Sequence, residues 1–229
     1  MTLSFIIPVF NEEKTLKRSI DDVVSLSIKK EIIIVDNGSV DGSVDIINQY
    51  KDIEYIKILL KRKNLGYGDS IQKGFDLATG DYIFIQYADL EYDHHTSILM
   101  YNLAIQNSYD VIFGSRLKYK KKLIQLIIKK PSYLATIICT ALINYFYKKE
   151  FTDIIGTKLY NRNSIKNILP KTKGQGFDFE LVSLICKKKL NIEETFVDYI
   201  PRQNSKEKKI KFYHMFNALY EIFKIKFFT

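Results

Sequence analysis

The sequence predicts an α/β protein with a mostly parallel, doubly wound sheet, and two observations carry this prediction. Short apolar runs typical of buried strands alternate with amphipathic segments of helical length through the first 115 residues. The run EIIIVD at 31–36 is continuous and rich in β-branched residues, as expected of a strand covered on both faces. Ligands of such sheets bind beyond the carboxyl ends of the strands.

The predicted elements follow one another through the front half of the chain. Strands are predicted over 3–9, 31–36, 55–60, 82–86 and 110–113, and helices over 12–26, 41–50, 67–78 and 95–106. The first helix has Leu16, Ile20 and Val23 on one face. Gly80 ends the third helix, since glycine commonly follows a helix terminus.

The composition is that of a globular chain. Its 229 residues can bury one sizeable core, and 46% hydrophobic with 27% charged residues exclude a disordered chain. Cys139 and Cys186 form no metal-ligand spacing, which fits a reduced, cytoplasmic protein. The amino terminus lacks the basic start and long apolar stretch of a signal peptide.

The net charge of +9 is unevenly distributed along the sequence. Residues 1–115 carry a net −6, residues 116–150 a net +8 and residues 151–229 a net +7. The basic back half predicts phosphate-bearing partners or an anionic membrane surface, with a solvated lysine-rich face as the alternative. Nucleic acid is not expected as a partner, because no base-stacking or groove-reading motif accompanies the charge.

Two apolar segments in the back half predict amphipathic helices. The uncharged stretch at 131–147 has 17 residues, several of them polar, whereas a spanning helix needs about 20 apolar ones. Lysines flank this stretch, and the segment at 212–228 repeats the pattern. Both helices are expected in the membrane interface, peripheral on the inner face of the cell membrane. The alternative is an amphipathic helix packed on the sheet. The apolar stripe of the first comprises Leu134, Ile137, Ile138, Ala141, Leu142 and Tyr145.

Polar loops follow three predicted strands, at 8–13 (PVFNEE), 35–42 (VDNGSVDG) and 87–93 (YADLEYD). In a doubly wound sheet these loops lie side by side at one edge. Acidic side chains after a strand can accept hydrogen bonds from ribose hydroxyls, and carboxylates can hold a divalent cation against a diphosphate. Each loop alone is a weak signal: the segment at 36–39 is more often a turn and helix cap, and Glu12 with Glu13 is more often a first helical turn.

Together, in order and spacing, the motifs resemble the family-2 glycosyltransferases of the GT-A fold, and above all the polyprenyl-phosphate sugar transferases. The resemblance extends to about residue 212, and the first loop is not the GxGxxG turn of a dinucleotide-binding protein. The motifs are PVFNEE at 8–13, DNGSVDG at 36–42, NLG at 64–66, Gly74, ATGD at 78–81, ADLEYD at 88–93, GSR at 114–116, TD at 152–153, TKLY at 157–160, GFDFE at 176–180, YIPR at 199–202 and KKI at 208–210.

The resemblance implies a nucleotide-sugar donor, a UDP-, GDP- or dTDP-sugar. Pro8, Glu12 and Asp36 would hold the base and ribose. It also implies a division of the chain into a GT-A domain over 1–211 and an amphipathic helix over 212–229. Within the domain, 1–115 would form the nucleotide-binding half and 116–211 the acceptor- and membrane-facing half.

The resemblance also implies Mg²⁺ or Mn²⁺ as cofactor. Asp89 would bind the metal and the diphosphate, with Glu91 as a second ligand or close neighbour. Arg202 and Lys209 would lie near the diphosphate or the acceptor phosphate. A metal and basic groups are needed because the leaving nucleoside diphosphate develops negative charge.

One position departs from the family pattern. The usual Asp-x-Asp has become Tyr87-Ala88-Asp89, and a neutral phenol cannot replace a carboxylate as a ligand of Mg²⁺ or Mn²⁺. His94 and His95 follow shortly afterwards and could serve a metal instead. Surface histidines without a metal are more common at the start of a helix than metal-binding ones.

Family resemblance implies direct displacement with inversion at the anomeric carbon. A hydroxyl acceptor, on a glycan or glycolipid, would need a general base, and Asp153 and Glu180 are the candidates. The alternative for each is a helix cap or a structural ion pair. A lipid phosphate is already anionic near neutral pH and needs none. The basic, apolar back half favours a lipid-phosphate acceptor. A third alternative is a silent scaffold that binds nucleotide-sugars without turnover.

Overall fold

The computed structural model describes residues 1–118, 132–200 and 214–228. Its described strands join into a single seven-stranded sheet with the order β3-β2-β1-β4-β6-β5-β7. Their bounds are β1 (Leu3–Val9), β2 (Lys30–Asp36), β3 (Ile56–Leu60), β4 (Tyr82–Ile85), β5 (Val111–Ser115), β6 (Lys158–Asn161) and β7 (Ile192–Phe196).

Every neighbouring pair of strands is parallel except the two pairs that involve β6. The register of β1 and β2 sets Val9 opposite Asp36, and that of β1 and β4 sets Ile6 opposite Ile85. The carboxyl ends of these three strands therefore share one edge. The predicted α/β class with a mostly parallel sheet is confirmed.

The described helices cover both faces of the sheet. One layer contains the first, second and fourth helices, and the other contains the third, fifth, seventh and eighth. Their bounds are α1 (Glu13–Ser25), α2 (Ser43–Asn48), α3 (Tyr67–Leu77), α4 (His95–Asn107), α5 (Ser132–Tyr147), α6 (Arg162–Ile165), α7 (Phe177–Lys187) and α8 (His214–Phe228).

The strands β1 and β2 are buried on both faces because their apolar runs are continuous. Phe5 and Ile7 of β1 face the layer of α1 and α4, whereas Ile6 faces the layer of α3 and α7. Gly74 lets α3 approach β1 closely, since a Cβ at this glycine would lie 2.4 Å from Cγ2 of Ile6. The predicted bounds of β1 are those of the structure, and those of β2 differ by one residue.

The structure differs from the predicted elements mainly in the back half. The strands β6 and β7 and the helices α6 and α7 were not predicted, because their segments are short or lack a clear apolar period. Both predicted amphipathic helices are present, as α5 and α8. Within the described ranges no helix has both the length and the apolar character to cross a bilayer.

The helix α5 exposes part of its predicted apolar stripe and partly buries the rest. Tyr133, Cys139 and Ile143 form its buried side. Leu134 is 41% exposed and Tyr145 81% exposed, on the opposite side. The helix therefore packs on the protein through a partly polar face and leaves apolar side chains in solvent.

Candidate active site

The three predicted polar loops converge at one edge of the sheet. β1 lies between β2 and β4, and all three run in the same direction. Asp36 is the last residue of β2, and Asp89 follows β4 by a few residues. Pro8 lies in β1 opposite Val35, and Glu12 immediately precedes α1. The topology thus brings the residues predicted for the nucleotide and for the metal to the same edge.

Asp36 is held rigidly at the end of β2. Its side chain is buried and accepts hydrogen bonds from the backbone N–H groups of Gly38 at 2.9 Å and Ser39 at 3.1 Å. Gly38 has a φ of +77°, and a Cβ there would lie 2.7 Å from the backbone carbon of Lys63. This turn requires glycine, both for its left-handed conformation and for the close approach of the neighbouring loop.

Hydrogen bonds connect the first loop to the second. The Asn11 side chain accepts a bond from the Val40 N–H at 2.9 Å, and the Asn11 N–H donates to Oγ of Ser39 at 2.9 Å. The Glu12 N–H donates to Oγ of Ser43 at 3.0 Å. Asn11 has a φ of 53°, a conformation that asparagine tolerates better than most residues. The two loops form one preorganised surface.

The third loop presents two half-buried carboxylates. Asp89 accepts a bond from the Glu91 N–H at 3.2 Å, and Leu90 between them has a φ of 57°. Glu91 also accepts a bond from the Tyr199 hydroxyl at 2.8 Å, and its carbonyl accepts one from the Ile200 N–H at 2.9 Å. Two carboxylates on one short loop are a donor set suited to Mg²⁺ or Mn²⁺.

Tyr87 packs against other tyrosines. Its hydroxyl lies 3.1 Å from that of Tyr67, and the two rings stack with their centroids 6.4 Å apart. Tyr92 belongs to the same cluster: its ring centroid lies 5.9 Å from that of Tyr87 and 5.1 Å from that of Tyr199. Burial, and next the carboxylate of Asp178, raise the pKa of the Tyr87 phenol. It therefore remains a neutral hydroxyl at physiological pH.

Asp153 forms a buried ion pair with Arg116. Nε and Nη2 of the arginine donate to the two carboxylate oxygens at 2.6 and 3.0 Å, and the Ile155 N–H donates at 2.9 Å. Burial alone would raise the pKa of Asp153, but attraction and hydrogen bonding from Arg116 outweigh it, and the pKa is lowered. The guanidinium lies between two rings, 5.6 Å from Tyr133 and 5.2 Å from Tyr199.

Glu180, the other predicted base, is also buried. It accepts hydrogen bonds from the backbone N–H groups of Lys171 at 3.3 Å and Thr172 at 2.9 Å. Two further residues predicted to lie near phosphate, Arg202 and Lys209, are outside the described residues. The structure therefore gives both candidate bases structural partners.

Three residues near this edge had no predicted role. Arg116 forms the ion pair with Asp153, and Tyr199 donates the hydrogen bond to Glu91. The negative charge of Asp178 helps to raise the pKa of Tyr87, and its carboxylate lies 3.4 Å from Nζ of Lys158. Arg116 directly follows β5, so its place at the end of a strand was the signal available in the sequence.

His94 and His95 lie at the start of α4. Together with Asp93 they bring one possible ligand atom each within 4.8 Å of one another. Asp93, two residues before the first residue of α4, however accepts a hydrogen bond from the His95 N–H at 2.8 Å, a local bond typical of the chain entering a helix. Nδ1 of His94 lies 3.5 Å from Asp93 and 3.7 Å from Asp22. These contacts favour a structural role at the start of the helix over a metal site.

Fold and site together define a transferase of the GT-A class. The sequence profile described as Glycosyl transferase family 2 matches residues 4–169. The chain belongs to glycosyltransferase family 2.

Two curated relatives are similar to part of the chain. A cholesterol galactosyltransferase of Borreliella burgdorferi is 36% identical over 112 residues, which are 48% of this chain and 31% of the relative. A poly(ribitol-phosphate) beta-glucosyltransferase of Bacillus spizizenii is 32% identical over 119 residues, 50% of this chain and 19% of the relative. The chain thus spans a third or less of the length of these relatives.

Solved structures share the fold at low sequence identity. Glucosyl-3-phosphoglycerate synthase from Mycobacterium tuberculosis, in complex with Mg²⁺ and UDP, has a TM-score of 0.71 at 14% identity. The similarity covers 98% of this chain and 79% of that one. S. aureus TarS in complex with UDP-GlcNAc has a TM-score of 0.64 at 16% identity, covering 97% and 65% of the two chains.

Proposed function

We propose that this protein is an inverting glycosyltransferase that moves a sugar from a nucleotide-sugar to a lipid-phosphate acceptor at a membrane surface. One observation carries the proposal: Asp36 ends β2, and Asp89 and Glu91 lie in the loop that follows β4. These two parallel strands flank β1, so the three carboxylates share the edge where α/β sheets bind ligands. Family membership and the UDP complexes of proteins with the same fold support a nucleotide-sugar donor.

The first two loops would bind the nucleoside. Asp36 and Glu12 offer carboxylate oxygens to hydroxyls or to the base, and Pro8 lines the floor beside them. Asp36 is already fixed by its two backbone hydrogen bonds. Because it needs no reorganisation when the ligand arrives, less of the binding free energy is lost to ordering.

Asp89 and Glu91 would hold Mg²⁺ or Mn²⁺. When bound, such an ion neutralises the charge that develops on the departing diphosphate. Tyr87 would contribute packing to this loop and no ligand. Arg202 and Lys209 remain proposed contacts of the diphosphate or of the acceptor phosphate.

The partners of the two buried carboxylates, Asp153 and Glu180, favour an acceptor that needs no general base. Asp153 is paired with Arg116, and Glu180 accepts hydrogen bonds from two backbone N–H groups, so both carboxylates already have structural partners. A phosphate acceptor needs no general base, because it is already anionic. We therefore propose that Asp153 orients Arg116 at the site, and that Glu180 holds the segment before α7.

A hydroxyl acceptor is the second candidate. The names of the two relatives refer to cholesterol and to poly(ribitol-phosphate), which are different kinds of acceptor. For such an acceptor Asp178 is the better candidate base, since its charge acts on Tyr87 and it keeps 17% of its side chain exposed. Attack by a hydroxyl would then require that Asp178 separate from Lys158.

Release of nucleoside diphosphate tests the proposal. The purified protein is incubated with UDP-, GDP- and dTDP-sugars, Mn²⁺, and either polyprenyl phosphates or glycolipids. We expect turnover with a polyprenyl phosphate, and loss of at least a hundredfold in Asp89→Ala. Asp52→Ala, at an exposed loop position, is the matched control and should keep full activity.

Each contrary result has a separate meaning. Full turnover in Asp89→Ala would remove that residue from the mechanism. Turnover only with glycolipids would favour the hydroxyl acceptor. Nucleotide-sugar binding without release, for every acceptor tried, would favour a silent scaffold.

A further inference from the structure

The helices α5 and α8 expose aromatic side chains to solvent. On α5, Tyr145 is 81% exposed; on α8, Tyr220 is 64% and Phe227 61% exposed. These residues, with Leu134, Phe146, Phe216, Phe223 and Phe228, are called the aromatic face below. Large apolar side chains grouped in this way on a surface commonly mark a site of interaction.

The aromatic face is continuous between the two helices, although about 80 residues of sequence separate them. The Tyr145 ring is 5.7 Å from that of Phe146, which in turn lies 5.3 Å from Phe223 and 5.6 Å from Phe227. Phe146 thus joins the exposed side of α5 to that of α8. The fold turns two separate amphipathic segments into a single surface.

A pocket rich in lysine lies at one end of this face. Its lining contains no carboxylate, and the lysines come from the ends of α5, α7 and α8. Three helix carboxyl termini contribute about −0.5 elementary charge each, far less than the charge of five ammonium groups. The pocket is therefore strongly positive. This lysine pocket is lined by Phe146, Tyr147, Lys148, Lys149, Cys186, Lys187, Lys189 and Lys226.

We propose that the aromatic face and the lysine pocket form a docking surface for an anionic lipid bilayer, with lipid phosphates held in the pocket. This inference rests on the proposed membrane acceptor and names the surface that would meet the membrane. Aromatic rings partition into the headgroup region, and lysines beside them attract anionic lipid. The charge complementarity favours a bilayer over a second copy of this basic chain.

The surface also leads to the catalytic edge. Leu134 begins the exposed side of α5, and the preceding Tyr133 contacts Arg116 at 5.6 Å. Arg116 directly follows β5, at the edge that holds Asp89. A lipid-linked phosphate in the same bilayer would therefore lie near the proposed transfer site.

Vesicle flotation tests the docking surface without any need for turnover. We expect the full chain to float with vesicles of phosphatidylcholine and phosphatidylglycerol, and to stay behind with phosphatidylcholine alone. The double variant Tyr145→Ser/Phe227→Ser should bind the anionic vesicles at least tenfold more weakly. Lys148→Gln/Lys189→Gln, in the exposed rim of the pocket, should show a similar loss and a reduced dependence on salt.

Matched controls come from the other side of the molecule. Leu99→Ser, at a 56% exposed position on α4, changes an apolar surface residue, and Lys29→Gln/Lys51→Gln changes two exposed lysines. Both should bind vesicles as the unmodified chain does. Thermal unfolding of every variant separates a binding defect from a folding defect.

Three results would overturn this inference: no binding to anionic vesicles, equal binding to neutral ones, or a self-association that Tyr145→Ser/Phe227→Ser abolishes. Hydrolysis of nucleotide-sugar in the absence of vesicles is measured in parallel. A chain that releases diphosphate but does not float would refute the docking surface and leave the proposed transferase intact.

Discussion

The hydroxyl of Tyr199 donates a hydrogen bond of 2.8 Å to Oε2 of Glu91, across 108 positions of sequence. Tyr199 lies just beyond β7, and Ile200 adds a backbone bond to the carbonyl of Glu91. The proposed metal loop, which follows the central strand β4, is therefore held by the segment that follows the edge strand β7, and Arg116 also contacts Tyr199 in this segment. This relationship gives Tyr199 a positioning role for Glu91.

Replacing Tyr199 by Phe should weaken metal binding. The ring and its contact with Arg116 remain, but Glu91 loses the bond that orients it. Hydrogen bonds to charged groups contribute about 1.5–3 kcal/mol, so we expect Mn²⁺ binding to be roughly 10- to 150-fold weaker. Titration of the Mn²⁺ electron paramagnetic resonance signal measures this directly, and saturating Mn²⁺ should restore turnover.

Tyr82→Phe is the control for this substitution. Its hydroxyl donates to the carbonyl of Tyr109 at 3.3 Å, at the opposite edge of the sheet. The Mn²⁺ affinity of Tyr82→Phe should therefore equal that of the unmodified chain. An unchanged or tighter affinity in Tyr199→Phe would mean that the bond does not position the carboxylate for a metal.

Restoring the family's carboxylate at Tyr87 should harm the protein. In Tyr87→Asp the new side chain would lose the stacking with Tyr67 and bring a negative charge near Asp178. Tyr87→Phe keeps the ring and loses only one hydroxyl contact. We expect normal turnover and melting temperature in Tyr87→Phe, and a melting temperature several degrees lower in Tyr87→Asp.

Thermal unfolding and diphosphate release together decide between packing and metal binding at Tyr87. A Tyr87→Asp variant with unchanged stability and a lower Mn²⁺ requirement would show that the site accepts the usual second carboxylate. Loss of turnover in Tyr87→Phe, without loss of stability, would give the hydroxyl a direct part in the reaction.

Local patterns predicted the front of the fold well. β1 and β2 are continuous apolar runs, so their burial on both faces and their approximate bounds follow from the sequence. The grouping of Asp36 and Asp89 follows as well, because the ends of parallel strands meet at one edge. The metal and nucleotide roles of these residues stay predictions.

Contacts between residues far apart in the sequence could not be predicted from such local patterns. β6 has only four residues and runs against its neighbours, so neither its length nor its direction is readable from an apolar period. Asp153 was a candidate general base with a structural ion pair as the alternative. Its partner Arg116, 37 positions away, could not be identified from spacing. The apolar stripe of α5 was predictable, but its union with α8 through Phe146 depends on tertiary packing.

Breaking the pair of Arg116 and Asp153 should destabilise the fold. Removal of one partner from a buried ion pair costs about 3–5 kcal/mol, since the other charge is left without compensation. We therefore expect such a loss in Asp153→Leu, measured by urea unfolding. The double variant Arg116→Met/Asp153→Leu should recover part of it, because no isolated charge remains.

The pH dependence of this loss distinguishes a structural carboxylate from a base. The pKa of Asp153 in the folded protein is lowered. Its stabilisation is therefore complete above the ordinary carboxyl range and is lost only as the pH falls through the lowered value. The difference in unfolding free energy between the unmodified chain and Asp153→Leu should stay constant from about pH 6 to 8. A difference that changes across that interval would contradict the assignment.

Glu31 offers the sharpest test of acid stability. It lies at the edge of the sheet opposite the proposed active site and accepts bonds from Oγ of Ser4 at 2.6 Å, Nζ of Lys57 at 2.7 Å and the Gly80 N–H at 2.9 Å. Burial would raise the pKa of Glu31, but these bonds and those from Thr79 outweigh it and lower the pKa to about 2. The carboxylate thereby joins four separate parts of the chain.

Glu31→Gln should lower the free energy of unfolding by about 2 kcal/mol at pH 7, since an amide cannot accept all of these bonds. A lowered pKa gives stability that is present above the unfolded value, near 4.5, and is lost as the pH falls toward about 2. The gap between Glu31→Gln and the unmodified chain should therefore narrow steadily below pH 4.5 in urea unfolding series. Exposed Glu54→Gln, the control, should show no gap at any pH. A gap for Glu31→Gln that is as wide at pH 3 as at pH 7 would mean that the charge on Glu31 does not hold this edge together.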